Sequence, residues 1–244
     1  MPNEKPTDAS LTKPQRTQVK IWDLPVRFFH WAIVLLFIAA YVTNSLGPTY
    51  FKYHLWSGYA MILLVSFRIV WGFVGTHHAR FANFIKNPAF TLKYAVSLLK
   101  KSDQHYLGHN PLGAIMVVIL LVAILIQAMT GLFSNDEIFN LGPLYGYISD
   151  ELSLKLTSIH RQLFYWISGA VALHIAAVLV HIIWKRDNII KAMFTGKKSI
   201  QTLTNETTIH SSKTWLAIII LAGLALILAW VLVHAPEAVI DSGY

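Results

Sequence analysis

Five stretches of this chain run nearly free of charge for the length of a membrane crossing, with polar segments between them. They cover residues 24–45, 52–74, 111–133, 157–184 and 214–234, each matching the roughly 20 residues that cross a bilayer core of about 30 Å. The pattern predicts an all-α integral membrane protein: a four-helix transmembrane bundle plus a fifth C-terminal transmembrane helix. Residues 1–20 read as a polar, proline-containing tail, 21–198 as the core, 199–213 as a linker and 235–244 as a second tail. Within the loop after the second span, 79–101 has the apolar spacing of a short amphipathic helix lying at the membrane surface. The loop after the third span is acidic and carries a Gly-Pro turn at 142–143.

Composition excludes a soluble globule, since 55% of residues are hydrophobic and only 13% charged. The first span does not read as a cleaved signal peptide. Arg27 and His30 stand near its start, and no small-residue cleavage pattern follows. Of the 20 Lys and Arg residues, 17 fall on one side, in the N-terminal segment, the loop after span two and the loop after span four, counting Arg27 at the start of span one and Arg68 towards the end of span two. Lys52, Lys155 and Arg161 fall on the other side, together with Asp136, Glu137, Asp150, Glu151, Glu237 and Asp241. The positive-inside rule then predicts a cytoplasmic N-terminus and an external C-terminus. The net charge of +8 is a topology signal spread over three loops and does not call for a nucleic-acid partner.

Histidines supply the candidate chemistry. His160 and His174 share the fourth span, and their fourteen-residue separation returns to nearly the same helix face about 21 Å further along. With alternating span directions, His54 matches His160 in depth on the external side, and His30 matches His174 on the cytoplasmic side. Each pair is placed to ligate one iron axially. The chain has no cysteine, so covalent haem attachment, thiolate ligation and iron–sulfur clusters are excluded. Two non-covalent b haems on bis-histidine ligation fit the remaining chemistry. Isolated intramembrane histidines that merely bond between helices are the competing explanation, and depth-matched pairs strain it. His181, seven residues beyond His174, is the rival ligand, while His105 and His109 share an i, i+4 spacing without a third metal ligand.

Small and basic residues surround the candidate ligands. Gly58 follows His54 by one turn and Gly169 lies between the two fourth-span histidines; both suit close approach of a flat macrocycle, and both equally suit helix packing. Arg27, Arg68 and Arg161 stand towards span ends, where haem propionates would emerge. For Arg27 and Arg68, snorkelling to lipid phosphate is the alternative.

The segments VKIWDLPVRFFHW (19–31), HLWSGY (54–59), FRIVWGFVG (67–75), ARFANF (79–84), GHNPLGAIMVV (108–118), QAMTGLF (127–133) and IHRQLFYWISGAVALHIAAVLVH (159–181) resemble the bacterial cytochrome b561 family. That family includes the cytochrome b membrane subunits of nickel–iron hydrogenases and similar formate dehydrogenase anchors. The resemblance covers about 19–198. It implies a four-helix haem-binding bundle with His30, His54, His160 and His174 as axial ligands, in the pairing that depth predicts. The fifth helix lies outside it.

Two haems at different depths make an electron wire. The resemblance implies quinone at one end and a redox protein at the other, such as a c-type cytochrome or a dehydrogenase or hydrogenase subunit, within respiratory electron transport. Asn110, with His109 as a possible proton relay, is the candidate quinone contact; Asn110 also reads as a helix N-cap before Pro111. A self-sufficient quinone oxidoreductase acting on a small external oxidant or reductant is the alternative function. A histidine-containing transporter or proton channel is the remote one, with neither an inverted repeat nor paired broken helices to support it.

Overall fold

The computed structural model describes residues 17–99, 106–138, 140–184, 186–200 and 208–236. Five helices in it are long and apolar enough to cross a membrane: α1 (Leu24–Ser45), α2 (Phe51–Val74), α5 (Pro111–Leu132), α6 (Asp150–Trp184) and α8 (Thr214–Val233). Between α2 and α5 lie the short α3 (Phe81–Phe84) and α4 (Pro88–Leu99), and α7 (Ile189–Thr195) follows α6. α4 is the surface helix expected within 79–101. It turns Phe90, Leu92 and Val96 outward and buries Tyr94 and Thr91.

Chain order dictates packing. A short connection sets α1 against α2, α5 packs on α6, and α2 also packs on α5 and on α8. Their shared core contains Val65, Leu121, Ile124 and Ile167. α8 covers α2 along its length. Its start packs on Trp22, Phe67 and Trp71, and its end packs on Ile62, Leu132 and Leu144. We call the end bearing the start of α1 the basic side and the end bearing the 134–149 loop the acidic side.

Three expectations need correction. The fourth span begins at Asp150 rather than 157, because Asp150 and Glu151 occupy its first turn, where carboxylates favour a helix N-terminus. Ser153 and Thr157 then tie that extra length to the end of α5 through Phe133 O at 2.7 Å and Asn135 O at 3.1 Å. The 1–20 tail is not uniformly loose, since Thr17–Lys20 forms strand β1, antiparallel to β2 (Lys197–Ile200). The 199–213 linker shares this structure: Ile200 ends β2, Ile209 N–H donates to Lys20 O and Lys20 Nζ to Ser212 Oγ. Residues 1–16, 201–207 and 237–244 lie outside the described ones. Gly196 makes the sheet possible. It sits at φ 76°, and a Cβ there would lie 2.7 Å from Trp22 O.

β1 delivers Asp23 into the core with no exposed surface. Asp23 Oδ1 caps α1 by accepting from Val26 N–H at 2.7 Å. Oδ2 accepts from Trp71 Nε1 at 3.0 Å and from Thr76 Oγ1 at 2.5 Å, binding the start of α1 to the end of α2. Replacing Asp23 with Ala removes a cap and orphans two buried donors, so we expect a loss of roughly 3 kcal/mol. Thermal unfolding in detergent checks this, with Asp23→Asn falling between the two because it keeps the cap acceptor.

Candidate haem-binding site

The four histidines of the sequence reading come together as two pairs at two depths. His54 and His160 face each other near the acidic side, with ring centroids 6.2 Å apart and planes at 83°. His30 and His174 do so near the basic side, at 6.5 Å and 53°. Two imidazoles binding one metal from opposite sides, each with its nitrogen at about 2 Å, hold their centroids roughly 6 Å apart. Both spacings fit.

Hydrogen bonds fix the acidic-side rings. His54 Nδ1 donates to Ala40 O at 2.9 Å, and His160 Nδ1 donates to Gln127 O at 2.8 Å. A carbonyl only accepts, so each proton is on Nδ1 and each Nε2 keeps its lone pair, the arrangement of a histidine metal ligand. On the basic side, His30 Nδ1 is buried without a partner.

A partly open cavity of about 460 Å³ adjoins His54 and His160 between α1, α2, α5 and α6, within the roughly 300–1,000 Å³ of ligand pockets. Phe164 closes it between α1 and α6 by stacking on Tyr41 (5.5 Å) and Phe37 (5.9 Å). Glycine positions divide into two kinds. A Cβ on Gly58 or Gly169 would meet no protein atom within 4 Å, so neither is a helix-packing glycine here. At Gly131 it would lie 2.8 Å from His160 Cε1, so hydrogen there is what gives the imidazole its place.

The arginines separate. Arg161 is exposed at the cavity rim. Arg27 does not snorkel to lipid, because its Nη1 donates to Phe194 O in the last turn of α7, where a cation meets the negative end of the helix. Neither does Arg68, which is 2% exposed and covered by Phe81 and Phe84.

Asn110 caps α5, its Oδ1 accepting from Gly113 N–H at 2.8 Å. Its Nδ2 lies 3.1 Å from His181 Nε2, so the rival ligand is bonded to an amide two turns beyond His174. The His109 ring packs between Trp22 (4.7 Å) and Phe84 (4.6 Å). Burial first, and then the charge of Arg68, push this imidazole down to about 3, leaving a neutral ring at physiological pH. His105 lies outside the described residues.

Sequence reasoning missed Asp23, Gly131 and the carbonyls of Ala40 and Gln127. Asp23 carried a readable signal, an aspartate two residues before proline at a span start. The carbonyls carried none, because a main-chain acceptor has no side chain to read.

The sequence profile described as prokaryotic cytochrome b561 matches residues 21–196. The chain belongs to that family. This cytochrome is therefore a multi-pass haem b protein of the bacterial inner membrane, and its chemistry is electron transfer. Among curated relatives, a Rhodobacter capsulatus protein named probable Ni/Fe-hydrogenase B-type cytochrome subunit is 26% identical over 223 residues, covering 77% of this chain and 84% of its own. Proteins of the same name from Azotobacter vinelandii (26% identical; 75% and 89% covered) and a Ni/Fe-hydrogenase 1 counterpart from Escherichia coli K12 (24%; 73% and 90%) also match. No solved structure matches. α8 lies beyond the segment that defines the family.

The two kinds of glycine give a contrast that haem content and thermal stability together can measure. Gly58→Ala leaves the unfolding midpoint of the haem-free chain no lower, since alanine favours the helix, and lowers haem retention, because its methyl enters open space beside His54. Gly131→Ala lowers both, because its methyl strikes the His160 ring. Equal behaviour of the two variants would contradict the assignment.

Proposed function

We propose that this cytochrome is a two-haem wire that carries electrons across the membrane between the quinone pool and a redox protein. The observation behind it is the pair of facing histidine couples at two depths, with α6 contributing one member to each. His54 and His160 would hold the acidic-side haem, and His30 and His174 the basic-side haem. Bound there, haem supplies a one-electron iron couple whose potential follows its axial ligands, hydrogen bonds and burial. The protein's own part is positional. Nδ1 donation to Ala40 O and Gln127 O orients the acidic-side imidazoles, Gly58 in the cavity wall leaves room for a planar group, and the Phe37–Tyr41–Phe164 stack lies on the lipid side. Charge asymmetry supports a cytoplasmic basic side and a periplasmic acidic side.

The names of the relatives support a hydrogenase-class redox partner. For quinone, Asn110 remains the candidate contact, with His109 beside it. Its amide faces His181 near the basic-side pair, and a quinone carbonyl would replace His181 as the acceptor of that amide.

Purified protein should show a reduced-minus-oxidised b-haem spectrum with two haems per chain. His160→Ala should lose one haem and His174→Ala the other; retention of both in either variant would remove that histidine from the ligand set. Asn110→Ser keeps an N-cap oxygen while deleting the amide. It should preserve haem content and slow quinol-driven haem reduction by tenfold or more, measured by stopped-flow absorbance.

A further inference from the structure

Arg68 is a buried cation with no anion bonded to it among the described residues. It stands in the last third of α2 with 2% exposure, and its Nη1 has no hydrogen-bond partner. Its guanidinium lies 5.2 Å from the Phe81 ring centre and 6.0 Å from that of Phe84. Gly72, one turn further along α2, permits this roof, since a Cβ there would fall 2.0 Å from the Phe81 ring. Cation–π contacts contribute about 0.5–2 kcal/mol, less than the several kcal/mol that removing a charge from water costs. Asp23 acts electrostatically on Arg68, but its oxygens are spent on Val26, Trp71 and Thr76. The ion pair among the described residues, Lys198–Asp187, is elsewhere.

A second unpaired donor lies against the same roof. The His109 ring contacts Phe84 at 4.6 Å, and its Nδ1 is buried without a partner. One aromatic ring therefore lies against both a buried guanidinium and a buried imidazole, each with one buried nitrogen that has no partner among the described residues. Both groups sit at the level of the basic-side pair: Arg68 follows His54 on α2 by the same fourteen residues that separate His160 from His174 on α6, and His109 adjoins the Asn110 cap at the start of α5.

We propose that Arg68 Nη1 and His109 Nδ1 form an oxyanion site that holds a carboxylate of the basic-side haem and thereby raises the electron affinity of that haem alone. The proposal rests on the reading that His30 and His174 carry a haem. The other source of such an oxyanion is a phospholipid phosphate, which the Phe81–Phe84 cover over Arg68 disfavours. A fixed positive charge in a low-dielectric site stabilises the reduced state, which carries one more electron. Its removal makes the basic-side haem harder to reduce and leaves the distant one unchanged.

Potentiometric titration of the full-length protein, resolving the two haems, tests this. In Arg68→Gln the reduced-to-oxidised ratio of the basic-side haem at fixed potential should fall at least tenfold, equivalent to 59 mV for a one-electron couple. The acidic-side haem should stay within twofold. Arg68→Lys should recover most of the shift, and His109→Gln should give a smaller shift of the same sign. If Arg68→Gln does not accumulate, His109→Gln alone must show that shift. Reloading apoprotein with haem b or its dimethyl ester isolates the carboxylate: wild type should favour haem b at this site at least tenfold, and Arg68→Gln should lose the preference. Unchanged potentials and preference with both haems bound would overturn the proposal. So would loss of a co-purifying anionic phospholipid from Arg68→Gln without a change in potential. Retention of two haems in His174→Ala would instead overturn the haem assignment on which the proposal rests.

Discussion

A polar ring inside a hydrocarbon slab has to be satisfied by its own protein or by something the protein binds, because there is no water to do it. That constraint organises this molecule. His54 and His160 spend one nitrogen each on a main-chain carbonyl of a neighbouring helix and keep the other in reserve, 6.2 Å apart between ring centres. α1 is bound by it to α2, and α5 to α6. The same bonds that hold the helices together thus orient the chemistry.

The basic side meets the constraint differently. Asp23 is fully satisfied and anchors α1 to α2, while Arg68, His30 and His109, all close by, each keep a buried nitrogen unpaired. Gly72 and Gly196 let the main chain and Phe81 close over this region, so space there is allotted as tightly as charge.

Much of the site was legible in the sequence. The depth pairing of the four histidines needed only span directions and a fourteen-residue step on one helix, since helix geometry is the same in every context. Asn110 was readable as a cap for a similar reason, the local N-cap signature. The roles of the arginines were not. Arg27 and Arg68 occupy similar positions near span ends, yet one closes the end of α7 and the other lies under two aromatic rings. Both outcomes depend on segments distant in sequence, 194 for the first and 81–84 for the second.

The sequence by itself determined the five crossings, the charge asymmetry, the absence of thiol chemistry and the two levels at which histidines sit. All of these follow from local hydropathy, composition and helical period. Only the tertiary structure decided that β1 pairs with β2, that α6 begins at Asp150, and that Gly58 and Gly169 face open space. It also decided that α8 packs along α2, outside the family-defining segment yet against its core. Those features depend on which surfaces meet, and a linear pattern carries no record of the atoms across the gap.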